Sequence, residues 1–441
     1  MSTNTPQTLK GFRDILPAEK KKRDWVQARI VKVFASYGFV ALETPTLEYA
    51  ELLLGKYGDE ADKMVYTFTD RGDRQVGLRY DQTVPTARIL SQYVGQLPKF
   101  FRRYQIQNVF RTDKPQKGRY REFTQCDIDI FGSTSPVADA EILACTYDTF
   151  KELGFTNIQL VVNDRQVLLN TLQPFANEKL TVFSIVQTID KLDKLSKDEV
   201  KAELTNKGLD AQQASQVLEA ITNAPKSDNL SEIIKLTQAL GVPSEALVFS
   251  PATARGLDYY TGMIFEVKIK DVEGNSLGGG GRYDQLIGQL SGSEDIPAVG
   301  VGLGFDRIVE LADQQGLIPT TGNSAQVLIT LFDSDNITSA LELAQTLRAA
   351  GIATEIYPQP DKLAKQFKLA DQKQIPFVAI LGAEEIASNT LTIKNLKTGE
   401  QSTVALTEAV QTIKTQAVWY TTCLETKGKI WRQEFIRSLI Q

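Results

Sequence analysis

The chain of 441 residues contains no histidine. That absence removes the imidazole general base, the histidine metal ligand and every Ser-His or Cys-His pair. Most hydrolases, zinc enzymes and deaminases are poor candidates without them. Any chemistry must run on carboxylates, arginines, metal-bound water or a substrate that needs no deprotonation. Cysteine is nearly as scarce: Cys126, Cys145 and Cys423 are widely spaced and offer neither a disulfide framework nor a metal cluster. No apolar run approaches the length of a membrane span, so no membrane segment is expected. The stretch MSTNTPQTLKGFRDILP lacks the charged-then-apolar pattern of an export signal, and a cytoplasmic location is the expectation.

What is present is ordinary in amount. A hydrophobic fraction of 42% and a charged fraction of 23% suit a soluble globular protein. The length allows two or three domains with sizeable cores. A net charge of −5 argues against indiscriminate nucleic-acid binding but leaves room for a local basic patch.

The most informative stretch runs from Tyr104 to Gly132 and reads as strand, basic loop, strand. In the second strand Phe123, Gln125, Asp127 and Asp129 share one face, while Cys126, Ile128 and Ile130 share the other. One apolar face and one face bearing an aromatic ring, an amide and two acids describe the wall of a polar pocket. The loop carries Arg111, Lys114, Lys117, Arg119 and Arg121, with Pro115 and Gly118 shaping the turn. Arginine's fixed fork of donors matches phosphate oxygens. A lone basic loop is more often a solvated hairpin tip, so its neighbours must decide.

Before this hairpin, Ala18–Tyr37 reads as a helix with Val26, Ile30, Val33, Phe34 and Tyr37 on one stripe, stopped by Gly38. A strand around Phe39–Leu42 follows, then Pro45 at a strand end and a helix from Glu48. Val65–Arg79 reads as a second hairpin. Asp81 and Thr83 precede a helix containing Arg88, where an acid serves equally well as an N-cap or as a ligand for an ammonium group. After the hairpin come a helix over Ala138–Leu153 and a strand over Ile158–Val162. The span from about 166 to 250 is helical and rich in Lys and Gln, and reads as an insertion because strand signals resume after it.

Two glycine-rich stretches follow. In SLGGGGRYD four glycines precede Arg282; taken alone, this run reads as a flexible hairpin loop. In AVGVGLGFDRIVEL, Gly300, Gly302 and Gly304 alternate with apolar residues, leaving one bare strand face on which a flat group or another chain could pack. Arg307 falls in the first turn of the next helix, where a cation opposes the dipole and calls for an anionic partner. From Ala325 strands and helices alternate, which implies a mixed or mostly parallel sheet beyond a Gly316–Ser324 linker.

The Pro45 region, the Tyr104–Gly132 hairpin and the glycine strand with Arg307 resemble the three motifs of class II aminoacyl-tRNA synthetases. TARGLDYYTG and GGGGRYD resemble the two signatures of the histidyl-tRNA synthetase family, and the likeness spans about Leu9 to Ile413. It implies an α+β fold: an antiparallel-sheet catalytic domain over 1–324 with the helical insertion, and an anticodon-binding α/β domain over 325–416. No role attaches to the tail over 417–441. The implied reaction is ATP-dependent activation of histidine as an adenylate and its transfer to tRNA(His), with Mg²⁺. By this resemblance Arg255 and Arg111 are catalytic; Arg111 contacts the α-phosphate, Arg119 and Arg307 the γ-phosphate, and Phe123 stacks on adenine. Asp81, Thr83 and Gln125 hold the substrate ammonium, Asp129 and Tyr260 read the imidazole beside Tyr259, and Arg255 touches the carboxylate. The region Phe39–Leu54 resembles the family's dimer motif, so a homodimer is implied. Thr112 and Thr124 stand where many bacterial relatives carry histidine, Asp81 and Asp129 where they carry glutamate, and QCDIDI looks like the eukaryotic-type branch. The competing reading is a non-catalytic paralogue such as the regulatory subunit of ATP phosphoribosyltransferase.

Overall fold

The computed structural model describes residues 6–55, 63–93, 95–114, 118–193, 195–254, 259–270, 272, 276–292, 294–319 and 325–415. Arg255, Pro115, Lys117 and the tail beyond residue 415 lie outside the described residues. The chain divides into two compact units at Pro319.

The first unit is built on an eight-stranded sheet among the described residues. Its strands are β1 (Val40–Ala41), β5 (Phe101–Phe110), β6 (Glu122–Phe131), β7 (Ile158–Asp164), β8 (Leu247–Phe249), β9 (Met263–Ile269), β10 (Gly278–Arg282) and β11 (Ala298–Gly304), in the spatial order β1-β5-β6-β11-β10-β9-β7-β8. Only the two outermost pairings, β1 with β5 and β7 with β8, are parallel. A separate three-stranded sheet joins β2 (Leu47–Tyr49), β3 (Thr67–Thr69) and β4 (Gln75–Leu78) in the order β2-β4-β3. This is the α+β architecture that the resemblance implied.

Period-two alternation gives the large sheet two unlike faces. On one, Cys126, Ile128, Ile130, Leu160, Val162, Phe265, Val299 and Val301 pack beneath the helices Pro17–Ser36, Pro136–Glu152 and Phe305–Gln314. The first helix buries Val26, Ile30, Val33 and Phe34, and Gly38 with φ +76° ends it. The second is entered through Ser135, whose hydroxyl caps the Val137 N–H, with Pro136 at the first turn. The other sheet face is polar along the middle of β5 and β6, and apolar at one end, where Phe101, Phe131, Ile264 and Ala298 pack with Leu286 and Ile287.

Two expectations fail here. Glu48 lies within β2, pairing with Gly77, and the helix begins only at Ala50. The four-glycine run is strand β10, hydrogen-bonded on both sides, to β9 and β11. Glycine is demanded there by proximity, since a Cβ on Gly280 would lie 1.9 Å from the Gly300 carbonyl oxygen.

Between β7 and β8 the helices Arg165–Leu172, Val182–Ile189, Lys197–Asn206 and Ala211–Thr222 contribute Leu168, Leu172, Ile185, Ile189, Leu204 and Val217 to a core of their own. The following helix, Asp228–Ala239, instead sends Leu230 and Ile233 into the main core.

The second unit holds β12 (Val327–Ile329), β13 (Thr354–Ile356), β14 (Phe377–Ile380), β15 (Thr390–Asn395) and β16 (Gln401–Ala405) in the order β13-β12-β14-β15-β16. The first three are parallel and the last two antiparallel, a mixed sheet. Helices Ile337–Ala349 and Leu363–Gln372 provide the crossovers. Strand β16 had no counterpart in the sequence reading.

Candidate active site

The polar face of the first sheet is built by register. Across β5 and β6, Arg103 pairs with Asp129, Gln105 with Asp127, and Gln107 with Gln125. Across β6 and β11, the partners of the same three residues are Gly300, Gly302 and Gly304. Side chains from β5 and β6 therefore stand beside a glycine floor. The floor is not bare for an outside ligand along its whole length. A Cβ on Gly300 would lie 1.8 Å from Asp129 Oδ1, so the glycine makes room for the neighbouring carboxylate.

Asp129 is enclosed and doubly partnered. It is 5% exposed, its Oδ2 lies 2.7 Å from Nη2 of the buried Arg103, and the Tyr283 hydroxyl donates to Oδ1. Burial raises its pKa against the opposing pull of Arg103 and the Tyr283 hydrogen bond. Burial also raises that of Tyr283, so the phenol keeps the proton it donates. Arg103 continues the chain by donating to Gln105 Oε1 at 3.2 Å, and Gln105 donates to Gln107 Oε1 at 2.6 Å. The buried Arg79 closes it, donating to Gln107 Oε1 at 2.9 Å and to the Thr44 carbonyl at 2.7 Å. A network bonded at this many points holds its members in place before any ligand arrives.

Tyr260 is buried and its ring lies 4.7 Å from that of Tyr259, which in turn meets Tyr283 edge-on at 5.8 Å. The three tyrosines thus gather at the Asp129 end. Asp81 is nearly buried and one of its oxygens accepts the Val84 N–H at 3.1 Å. It caps the helix Thr83–Gln92 and faces the same cluster, since its charge pushes up both Asp127 and Asp129. Thr83 is the first residue of that helix.

The other end of β6 is cationic and open. Arg111 lies with its guanidinium 5.1 Å from the Phe123 ring and 4.2 Å from the Tyr80 ring, and donates to the Tyr80 carbonyl at 3.2 Å. Arg119 is exposed and grips Asp113 through two hydrogen bonds of 3.0 Å. Arg307 is exposed and donates to the Ser276 carbonyl at 3.3 Å. Among the described residues no carboxylate pairs with Arg307, so none supplies the anionic partner expected for it. The adjacent acid, Asp306, is engaged elsewhere, accepting from Arg13 at 2.5 Å, from Arg23, and from the Thr124 N–H at 2.9 Å. Asp306 so ties the N-terminal segment and first helix to β6.

The structure thus gathers Asp129, Tyr259 and Tyr260 at one end of β6 and Arg111 with Phe123 at the other, with Gln125 two residues from Phe123 and Asp81 facing Asp127 and Asp129; Thr83 opens the helix after Asp81. Sequence reasoning missed Arg103, Tyr283, Gln105, Gln107 and Asp306. The alternation of Arg103, Gln105 and Gln107 was visible, but their partners depend on strand register.

A family model described as histidyl-tRNA synthetase matches residues 11–308, about two thirds of the chain. The chain belongs to the histidyl-tRNA synthetase family. An anticodon-binding domain model matches residues 323–416 in the second unit. The histidine–tRNA ligase of Cytophaga hutchinsonii is 36% identical over 448 residues, covering 92% of this chain and 98% of the relative. That of Rhodopirellula baltica is 37% identical over 423 residues, covering 91% and 95%. The crystal structure of histidyl-tRNA synthetase from Nostoc sp. PCC 7120 superposes with a TM-score of 0.79 at 29% identity, covering 93% of this chain and 99% of that one.

Proposed function

We propose that this chain is a histidine–tRNA ligase, activating histidine with ATP and passing it to the 3′ end of tRNA(His). The observation that carries the reading is the gradient along the sheet, from the buried acids at Asp129 to the half-buried Arg111 by Phe123 and the exposed Arg119 and Arg307. An imidazole and an ammonium group bring N–H donors to the first, and a triphosphate brings oxygens to the second.

The substrate carboxylate is already ionised at neutral pH and attacks the α-phosphorus in line. A carboxylate–phosphorus bond forms, the bond to the bridging oxygen breaks, and pyrophosphate leaves. No protein base is needed, which suits a chain without histidine. The protein contributes position and fixed positive charge. Arg111 neutralises the α-phosphate, Arg119 and Arg307 the γ-phosphate, and Phe123 supports the adenine. Asp81, Thr83 and Gln125 hold the ammonium. Asp129 accepts from the imidazole, oriented by Arg103 and Tyr283, with Tyr260 and Tyr259 closing that end. Arg255 belongs to the carboxylate and α-phosphate, and Arg255→Ala should abolish adenylation while leaving tRNA affinity intact. Preserved adenylation would remove it from the catalytic set. In the second step the aminoacyl group moves to a ribose hydroxyl and the departing phosphate takes the proton.

Mg²⁺ travels with the nucleotide in this scheme. Among the described residues no group of three Cys, Asp or Glu side chains could hold a metal, and Mg²⁺ commonly binds through substrate phosphates. The same reading places the catalytic domain over 1–324, the anticodon-binding domain over 325–416, two copies joined through the Phe39–Leu54 region, and the enzyme in the cytoplasm. No helix among the described residues is long and apolar enough to cross a membrane. The regulatory-subunit alternative is disfavoured by the retained arginines and by the second unit. Incubating the purified chain with tRNA(His) transcript, ATP and labelled histidine tests the proposal: acid-precipitable histidyl-tRNA is expected, and its absence would overturn it.

A further inference from the structure

The scheme above gives no role to the buried acid Asp127. Asp127 lies on β6 midway between Gln125 and Asp129, opposite Gln105 on one side and Gly302 on the other, and is 5% exposed. Among the described residues its Oδ1 has no hydrogen-bond partner. Neither has Oε1 of its neighbour Gln125. Two neighbouring buried acceptors without donors are costly to leave unpaired. They mark a place where the ligand must bring donors. Gly302 lies opposite Asp127, and a Cβ there would crowd Oδ1 at 3.2 Å, so the glycine leaves that oxygen room.

We infer that Asp127 is a further ligand for the substrate's α-ammonium group, acting beside Gln125 and Asp81 and separating the amino-group site from the imidazole site at Asp129. An ammonium brings N–H donors for both unpaired oxygens and a positive charge for the Asp127 carboxylate. Uncharged hydroxyl or amide donors would bring no positive charge to offset an ionised Asp127 beside Asp81 and Asp129.

The electrostatics agree with this geometry. Burial pushes the Asp127 carboxyl up to about 8; Arg103 and Arg111 oppose the rise, while Asp129 and Asp81 add to it. Asp127 is therefore largely protonated in the empty site near pH 7. An arriving ammonium reverses the balance and expels that proton. Histidine binding should then release a proton that an amine-free analogue does not.

The inference rests on the histidine-activating reading, and three ligands keep the two separable. Histidine, histidinol and 3-(imidazol-4-yl)propionate share the imidazole, but only the first two carry the ammonium. In Asp127→Asn, the affinities for histidine and histidinol should each fall about tenfold or more, as for loss of one charge-assisted hydrogen bond, with that for the propionate nearly unchanged. Equal losses for all three ligands, or none for histidine, would overturn the assignment. If the variant fails to fold, calorimetry of the unaltered chain in buffers of different ionisation enthalpy decides. Extra proton release with histidine and histidinol relative to the propionate supports it, and identical release with all three refutes it. An unaltered chain that bound no histidine would instead refute the function itself.

Discussion

The two ends of β6 solve opposite problems. At Asp129 the charges are sealed from water and held by Arg103, Tyr283 and a run of amides reaching Arg79. At Arg119 and Arg307 they stand in solvent, Arg119 paired with Asp113 and Arg307 bound to a backbone carbonyl. A small ligand distinguished by one ring needs preorganised contacts, and their desolvation cost is met when the protein folds. A triphosphate carries enough charge to organise flexible arginines on arrival. In the proposed scheme, specificity is built into the core of the sheet and phosphate binding into its margin.

This contrast makes graded predictions. The largest effect belongs to Asp129→Ala, which strands Arg103 as a buried unpaired charge. It should cost about 3–5 kcal/mol in chemical denaturation and raise the KM for histidine far more than that for ATP. Equal rises in both would erase the distinction between the ends. Next is Gly300→Ala, whose Cβ would meet the Asp129 carboxylate at 1.8 Å and the Ile128 carbonyl at 2.6 Å. A loss of about 1–3 kcal/mol with weakened histidine binding is expected, whereas Gly302→Ala, with 3.2 Å of clearance, should be milder. Indistinguishable melting curves for the two would show that the floor is not shaped around Asp129.

The third prediction concerns pH. Because the native Asp127 holds its proton to about 8, the folded chain binds more protons than the unfolded one above the ordinary carboxylate range. Stability should therefore fall as pH rises towards 8, by up to about 1.4 kcal/mol per pH unit from this group. Asp127→Asn should flatten that slope in urea titrations, and an unchanged slope would place the titration elsewhere. The smallest change in stability is expected for Arg307→Ala, within about 0.5 kcal/mol of the parent. It should weaken ATP about tenfold and leave histidine binding alone. A marked stability loss would mean that Arg307 is structural.

How much of this was readable beforehand follows the same divide. The face of Phe123, Gln125 and Asp129 was legible because strand periodicity alone sets it. So was the alternation of Gly300, Gly302 and Gly304, although what fills the space above them was not, since that depends on which strand lies alongside. The four glycines looked like a loop because glycine is poor at forming strands in isolation; the close approach of β11 overrides that preference. Glu48 looked helical, yet pairing with β4 draws it into a strand. Arg103 and Tyr283 are separated by 180 positions and meet only through Asp129, so no local pattern announces them.

The most direct test is amino-acid-dependent exchange of labelled pyrophosphate into ATP by the purified chain, run with each amino acid in turn. Exchange with histidine alone is the result expected of a buried imidazole pocket joined to an open phosphate site. Exchange with another amino acid, or with none, would contradict it.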